Sequence, residues 1–68
     1  MIKVKVMDIL NKKERNINWL AKKAGIGYST IYNFSLSKTS AVNYEILEAV
    51  CKVLECKIED ILEIIEED

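Results

Sequence analysis

There is no histidine in this chain of 68 residues, and there are only two cysteines. The missing imidazole removes the commonest general base, and two thiols alone cannot build an ordinary zinc site. Neither a nucleophile elbow nor a phosphate-binding glycine loop occurs, so enzymatic chemistry, a resident metal and a cofactor are not expected. Two cysteines are also too thin a framework for a disulfide-stapled secreted scaffold, and they suit a reducing, cytoplasmic setting. No apolar run approaches the ~18 residues of a membrane helix, and no basic-then-apolar leader opens the chain, so neither a membrane span nor a secretory signal is expected. Proline is absent, and no low-complexity stretch, repeat or linker interrupts the chain, so residues 1–68 read as one small domain. A domain this short buries only ~60% of its unfolded surface, so its core is marginal unless packing is efficient or a partner helps.

Half of the residues are apolar and 31% are charged, a composition that folds. The net charge is only −1, but it is unevenly spread. Residues 1–40 hold eight basic and two acidic side chains (+6), and residues 41–68 hold two basic and nine acidic ones (−7). Such a molecule can dock a basic face on phosphate and point its acidic part away.

The apolar period changes along the chain. Ile2-Lys-Val-Lys-Val6 alternates, as a strand with one buried face does. Val6, Ile9, Leu10 and Lys13 then fall at helical spacing, predicting a first helix over about 6–14. Asn16 is an N-cap candidate for a second helix over 17–24, with Ile17, Leu20, Ala21 and Ala24 on one face and Gly25 ending it in the left-handed conformation. Gly27 can cap a third helix over 28–35, with Ile31 and Phe34 inward and Ile26 buried in the turn. A polar loop over 35–42 leads to Asn43, the N-cap candidate of a fourth helix whose stripe is Ile46, Leu47, Val50 and Leu54. After a break near 55–57, Ile58, Ile61, Leu62 and Ile65 mark a last helix over about 58–63, and the tail 62–65 fits either its final turn or a short strand. The fold class expected is all-α, five short helices with extended ends.

Residues 17–34 meet the requirements of a helix-turn-helix together. Ala21 is small enough for two helices to cross closely, Gly25 makes the sharp turn, and Leu20, Ala24, Ile26, Ile31 and Phe34 lock the second helix on the first. The N-terminal part of the second helix of such a unit meets base edges, which here presents Tyr28, Ser29, Tyr32 and Asn33. Asn33 can bond adenine bidentately, Ser29 can contact several bases, and the tyrosines can pack on a thymine methyl or reach a phosphate. Thr30 is placed to support the helix start. Asn16, beyond capping, stands where helix amides can meet a phosphate. Lys12, Lys13, Arg15, Lys22 and Lys23 are long cationic stems of the kind that suits phosphate contact.

On Leu20-Ala21, Ala24-Gly25-Ile26, Ser29-Thr30-Ile31, Lys38-Thr39 and Leu47…Ala49…Leu54…Ile58-Glu59-Asp60-Ile61-Leu62, nearly the whole chain resembles the lambda-repressor/Cro-like (XRE-type) helix-turn-helix family. The likeness is to its short single-domain bacterial and phage members. The resemblance implies a five-helix DNA-binding fold and a sequence-specific regulator of transcription, a small repressor that binds a two-fold operator in double-stranded DNA as a homodimer. It also implies sugar-phosphate contacts from Lys38 and Thr39. Three positions depart from the family's pattern. Ile17 stands where a phosphate-contacting Gln is frequent, Ser35-Leu36-Ser37-Lys38 replaces a common Glu-x-Gly-Lys, and Leu10 replaces the Arg that pairs with that Glu. Losing both ends of a buried ion pair together is often near neutral in stability.

The remaining features point to packing and association. Trp19 reads as a partly buried lid over the first helix, and Cys51 and Cys56 as small hydrophobes. Ile2, Val4 and Val6 would leave an open strand edge if unpaired. Residues 2–5 are therefore expected to pair with the tail near 62–65, with Lys3 or Lys5 facing Glu63 or Glu66, at an end that forms or borders a dimer interface. No membrane or small-molecule partner is indicated. The alternative is a protein-interaction module of the same fold, such as an antitoxin or a regulator's partner, working through its acidic fourth and fifth helices.

Overall fold

In the computed structural model, which describes residues 1–66, two of the helices begin at an asparagine whose side chain caps them. Strand β1 (Ile2–Val4) leads into α1 (Val6–Lys12), followed by α2 (Ile17–Ala24), α3 (Tyr28–Ser35), α4 (Tyr44–Leu54), α5 (Ile58–Ile61) and strand β2 (Leu62–Ile64). Asn16 Oδ1 accepts from Trp19 N, and Asn43 Oδ1 from Ile46 N, both at 2.8 Å. Each bond satisfies a helix-start amide and stabilises by about 1 kcal/mol. At α5 the Lys57 N–H donates to Asp60 Oδ2 at 2.9 Å, the backward half of a capping box.

The first four helices stop in the same way. Arg15 N bonds Leu10 O at 2.9 Å, Ile26 N bonds Ala21 O at 3.1 Å, Lys38 N bonds Asn33 O at 2.8 Å, and Cys56 N bonds Cys51 O at 3.1 Å. With the shorter-range bonds of the preceding amides, these are Schellman closures. Each puts one residue in the left-handed region: Glu14 (φ 57°), Gly25 (70°), Ser37 (58°) and Glu55 (54°). Sequence composition reveals only the closure at Gly25. The other three hold L-residues in a conformation that costs them roughly 1–2 kcal/mol.

The core gathers Val6, Leu10, Ile17, Leu20, Ala21, Ile31, Phe34, Leu47, Val50, Leu54 and Ile61. Helix α2 packs on both α3 and α4. Several expectations need correction. Helix α1 ends at Lys12 because the Glu14 closure turns the chain there. Ile26, Ala24 and Ile46 are only half-buried, and Ile58 is 54% exposed, because α5 is a single turn with room for one inward residue, Ile61. Ser35 lies in α3 as well as at the head of the expected loop, and it is buried.

Helix α5 ends at Ile61, and the tail is a strand. β1 and β2 pair antiparallel, with Ile2 opposite Ile64, Lys3 opposite Glu63 and Val4 opposite Leu62. Lys3 thus faces Glu63 as expected, whereas Lys5 lies opposite Ile61, its N–H bonding Ile61 O at 2.8 Å. No ion pair forms across the strands among the described residues; the pair present there is Glu48–Lys52, on α4. The last two residues of the expected 1–68 domain lie outside the described residues.

Candidate nucleic-acid interface

Two glycines and one alanine position α3. Ala21 is 4% exposed on α2, which packs on α3, Gly25 turns the chain at φ 70°, and Gly27 starts α3. Ile31 and Phe34 then anchor the inner face of α3 in the core. The helical period turns the rest outward: Tyr28, Ser29, Thr30 and Asn33 are exposed and Tyr32 is half-buried. Positions 28, 29, 32 and 33, singled out in the sequence, therefore share one face of one helix.

That face has internal order. The Tyr28 and Tyr32 rings stack at 5.9 Å between centroids and 26° between planes. The Lys38 ammonium sits 5.0 Å from the Tyr32 centroid, within cation–π range. The Lys38 amide is tied to Asn33 O by the closure of α3. Tyr32 is thus held between a neighbouring ring and a cation. Among the described residues, Ser29 and Asn33 make no side-chain hydrogen bond within the chain, so their polar groups are available to an external partner. An Asn carboxamide offers one donor and one acceptor side by side, which matches the edge of adenine in a major groove.

The flanks supply positive charge. Lys12, Lys13, Lys22, Lys23 and Lys38 are exposed, and the Arg15 guanidinium lies 5.2 Å from the Trp19 ring centroid. Trp19 is half-buried against the core, as a lid is. Asn16 is exposed at the start of α2, but its Oδ1 is already engaged by Trp19 N, leaving its amide group as the outward donor. Thr39 is exposed and lines a shallow groove with Ile2, Val4 and Phe34. Thr30 makes no hydrogen bond at the start of α3 among the described residues, so the supporting role expected for it is not seen there.

Each of the three departures from the family pattern places a residue in the interior, although Leu36, Ser37 and Lys38 of the second stay exposed. Ile17 is 8% exposed and belongs to the core, so it has nothing to offer a phosphate. Leu10 and Ser35 are both inside, and Ser35 Oγ has no hydrogen-bond partner among the described residues. Ser37 is a residue that sequence reasoning missed. Its Oγ accepts from Val4 N at 3.2 Å and joins the end of α3 to the terminal sheet. A serine inside a serine-rich loop carries no mark of that role.

Elsewhere the chemistry is plain. Cys51 and Cys56 are free and half-buried; burial pushes both thiols up from their usual range, and the Asp60 carboxylate adds to it. Among the described residues no group of His, Cys, Asp and Glu side chains is placed to hold a metal ion, and no helix is long and apolar enough to cross a membrane.

Comparison with known proteins agrees with this geometry. The family model of the Cro/C1-type HTH DNA-binding domain matches residues 5–67. An uncharacterized HTH-type transcriptional regulator of Bacillus subtilis (strain 168), YozG, is 35% identical over 63 residues, spanning 93% of this chain and 73% of the relative. A crystal structure of a proposed DNA-binding protein from Bacteroides fragilis superposes with a TM-score of 0.76 at 24% identity, over 93% of this chain and all of the other, a likeness of fold.

Proposed function

Because the chain belongs to the Cro/C1-type helix-turn-helix DNA-binding domain family, we propose that it is a sequence-specific double-stranded DNA-binding regulator of transcription. It acts as a small cytoplasmic repressor and binds a two-fold operator as a homodimer. One observation carries this reading: α3 turns Ser29 and Asn33 outward with their hydrogen-bonding groups unused, beside an ordered Tyr28–Tyr32–Lys38 row. Ser29, Asn33 and the two tyrosines read base edges, while Asn16, Lys38 and Thr39 position the domain on phosphates.

Selection of random duplexes at ~150 mM salt tests it, because non-specific phosphate binding fades at that ionic strength. The expected result is an enriched motif with two-fold symmetry. Asn33→Ala should lose about 1–3 kcal/mol of discrimination at one base position of each half-site. A folded protein that enriches nothing, or a motif that Asn33→Ala leaves unchanged, refutes the assignment.

A second reading, a protein-interaction module, has one observation in its favour. The groove between α4 and α5, lined by Leu47, Cys51 and Cys56, leaves Tyr44 88% and Ile58 54% exposed. Failure to enrich DNA, with a specific protein captured through these two residues, would favour it.

A further inference from the structure

The two terminal strands leave one edge open, and its hydrogen-bond phase can be worked out. Ile65 N bonds Met1 O at 2.8 Å, the Met1 amino group bonds Ile65 O at 3.1 Å, and Lys5 N bonds Ile61 O at 2.8 Å. Hydrogen-bonded pairs in an antiparallel ladder recur every second residue, so they fall at 1 with 65, 3 with 63 and 5 with 61. The backbone groups of Ile2, Val4, Leu62 and Ile64 therefore point away from the ladder. On the β1 side, Val4 N is taken by Ser37 Oγ, and the 37–42 segment walls that edge. On the β2 side, Leu62 N is taken by Ile58 O at the end of α5. Among the described residues nothing meets Leu62 O or the N–H and C=O of Ile64. The side chains repeat the pattern: Val4 and Leu62 are half-buried, but Ile2 (54% exposed) and Ile64 (73%) stand out on the same face, opposite each other.

We infer that β2 pairs antiparallel with β2 of a second copy, centred on Ile64, making one four-stranded sheet across the dimer dyad. This rests on the homodimer reading above and names its interface. Two constraints select the register. Centring on Glu63 would set two carboxylates directly opposite and would need the Leu62 N–H, which α5 already uses. Centring on Ile64 exchanges both of that residue's open bonds with its own copy. It puts Leu62, an acceptor only, opposite the N–H of the second copy's Glu66, and Glu63 opposite Ile65. Like charges are kept apart, and an unbroken row of four isoleucines, Ile2 and Ile64 from each copy, covers the apolar face. An open strand edge with exposed isoleucines is a liability in a monomer and is resolved by this pairing. The Ser37–Val4 bond couples the sheet to the end of α3, so a dyad at β2 also fixes the relation between the two reading helices.

The test uses the full chain. Sedimentation of the wild type should show a dimer. Ile64→Lys alters a side chain that is 73% exposed, so the monomer fold, followed by circular dichroism, should persist. Two lost apolar contacts and two facing cations should weaken self-association at least about tenfold. In a Cys51→Ala, Cys56→Ala background, Ile64→Cys should cross-link to a dimer under mild oxidation and Glu63→Cys should lag, since only the central residue meets itself. A wild type that stays monomeric overturns this pairing together with the homodimer reading, and leaves the edge to a strand of another protein. A dimer that Ile64→Lys does not weaken, or one that cross-links faster through Glu63→Cys, overturns the interface alone and leaves the dimer reading standing.

Discussion

Replacing Glu55 by glycine should make this protein more stable, although it removes a side chain and adds no contact. Glu55 closes α4 at φ 54°, a left-handed position that costs an L-residue roughly 1–2 kcal/mol. Glycine avoids that cost but loses about 0.5–1 kcal/mol more backbone freedom on folding. The net gain is therefore roughly 0.5–1 kcal/mol, and a few tenths more come from removing a carboxylate beside the negative end of α4. Unfolding 68 residues has an entropy of ~0.14 kcal/mol/K at the midpoint, so with both contributions Tm should rise by roughly 5–9 °C. Thermal melts by circular dichroism at one fixed protein concentration measure this, the fixed concentration being needed because self-association also shifts Tm. Glu55→Gln is the control, for it removes the same charge and keeps the strained backbone. Gly25→Ala is the converse experiment. A Cβ there would meet nothing within 4 Å, so its cost is conformational alone and should be about 1 kcal/mol. If Glu55→Gly melts no higher than Glu55→Gln, strain at the closure is not a term in this protein's stability.

Two further outcomes follow from single atoms. Ser35→Ala should stabilise by about 1 kcal/mol in chemical denaturation, because Ser35 Oγ is buried without a partner and such a hydroxyl costs roughly 1–3 kcal/mol; a loss of stability would mean that the hydroxyl is bonded after all. Lys38→Ala should weaken binding to every DNA sequence alike and lower the salt slope by about one; a change confined to one sequence would make Lys38 a base reader instead.

The bounds of α2 and α3 and the start of α4 were legible because their causes are local: Asn16, Gly25, Gly27 and Asn43 act within four residues of where they stand. The shared outer face of Tyr28, Ser29, Tyr32 and Asn33 was legible for the same reason, since helical periodicity and the inward pull of Ile31 and Phe34 leave them no other side. The closures at Glu14, Ser37 and Glu55 were not, because no residue type there prefers a left-handed backbone; the packing of the following segment imposes it.

Local residue choices fix the helix-turn-helix, its capping and the face it presents, because each depends on residues a turn or two apart. The remaining features come from contacts between distant segments. The tail became a strand because Leu62, Glu63 and Ile64 found Val4, Lys3 and Ile2 at the far end of the chain. Ser35 was buried and Ile58 was left outside because the C-terminal end of α3 turns Phe34 and Ser35 into the packing while α5 is a single turn. Ser37 became the link between α3 and the sheet only once Val4 lay beside it. Pairings this distant in sequence are set by which surfaces remain uncovered after the helices pack, and no local pattern of residues records that.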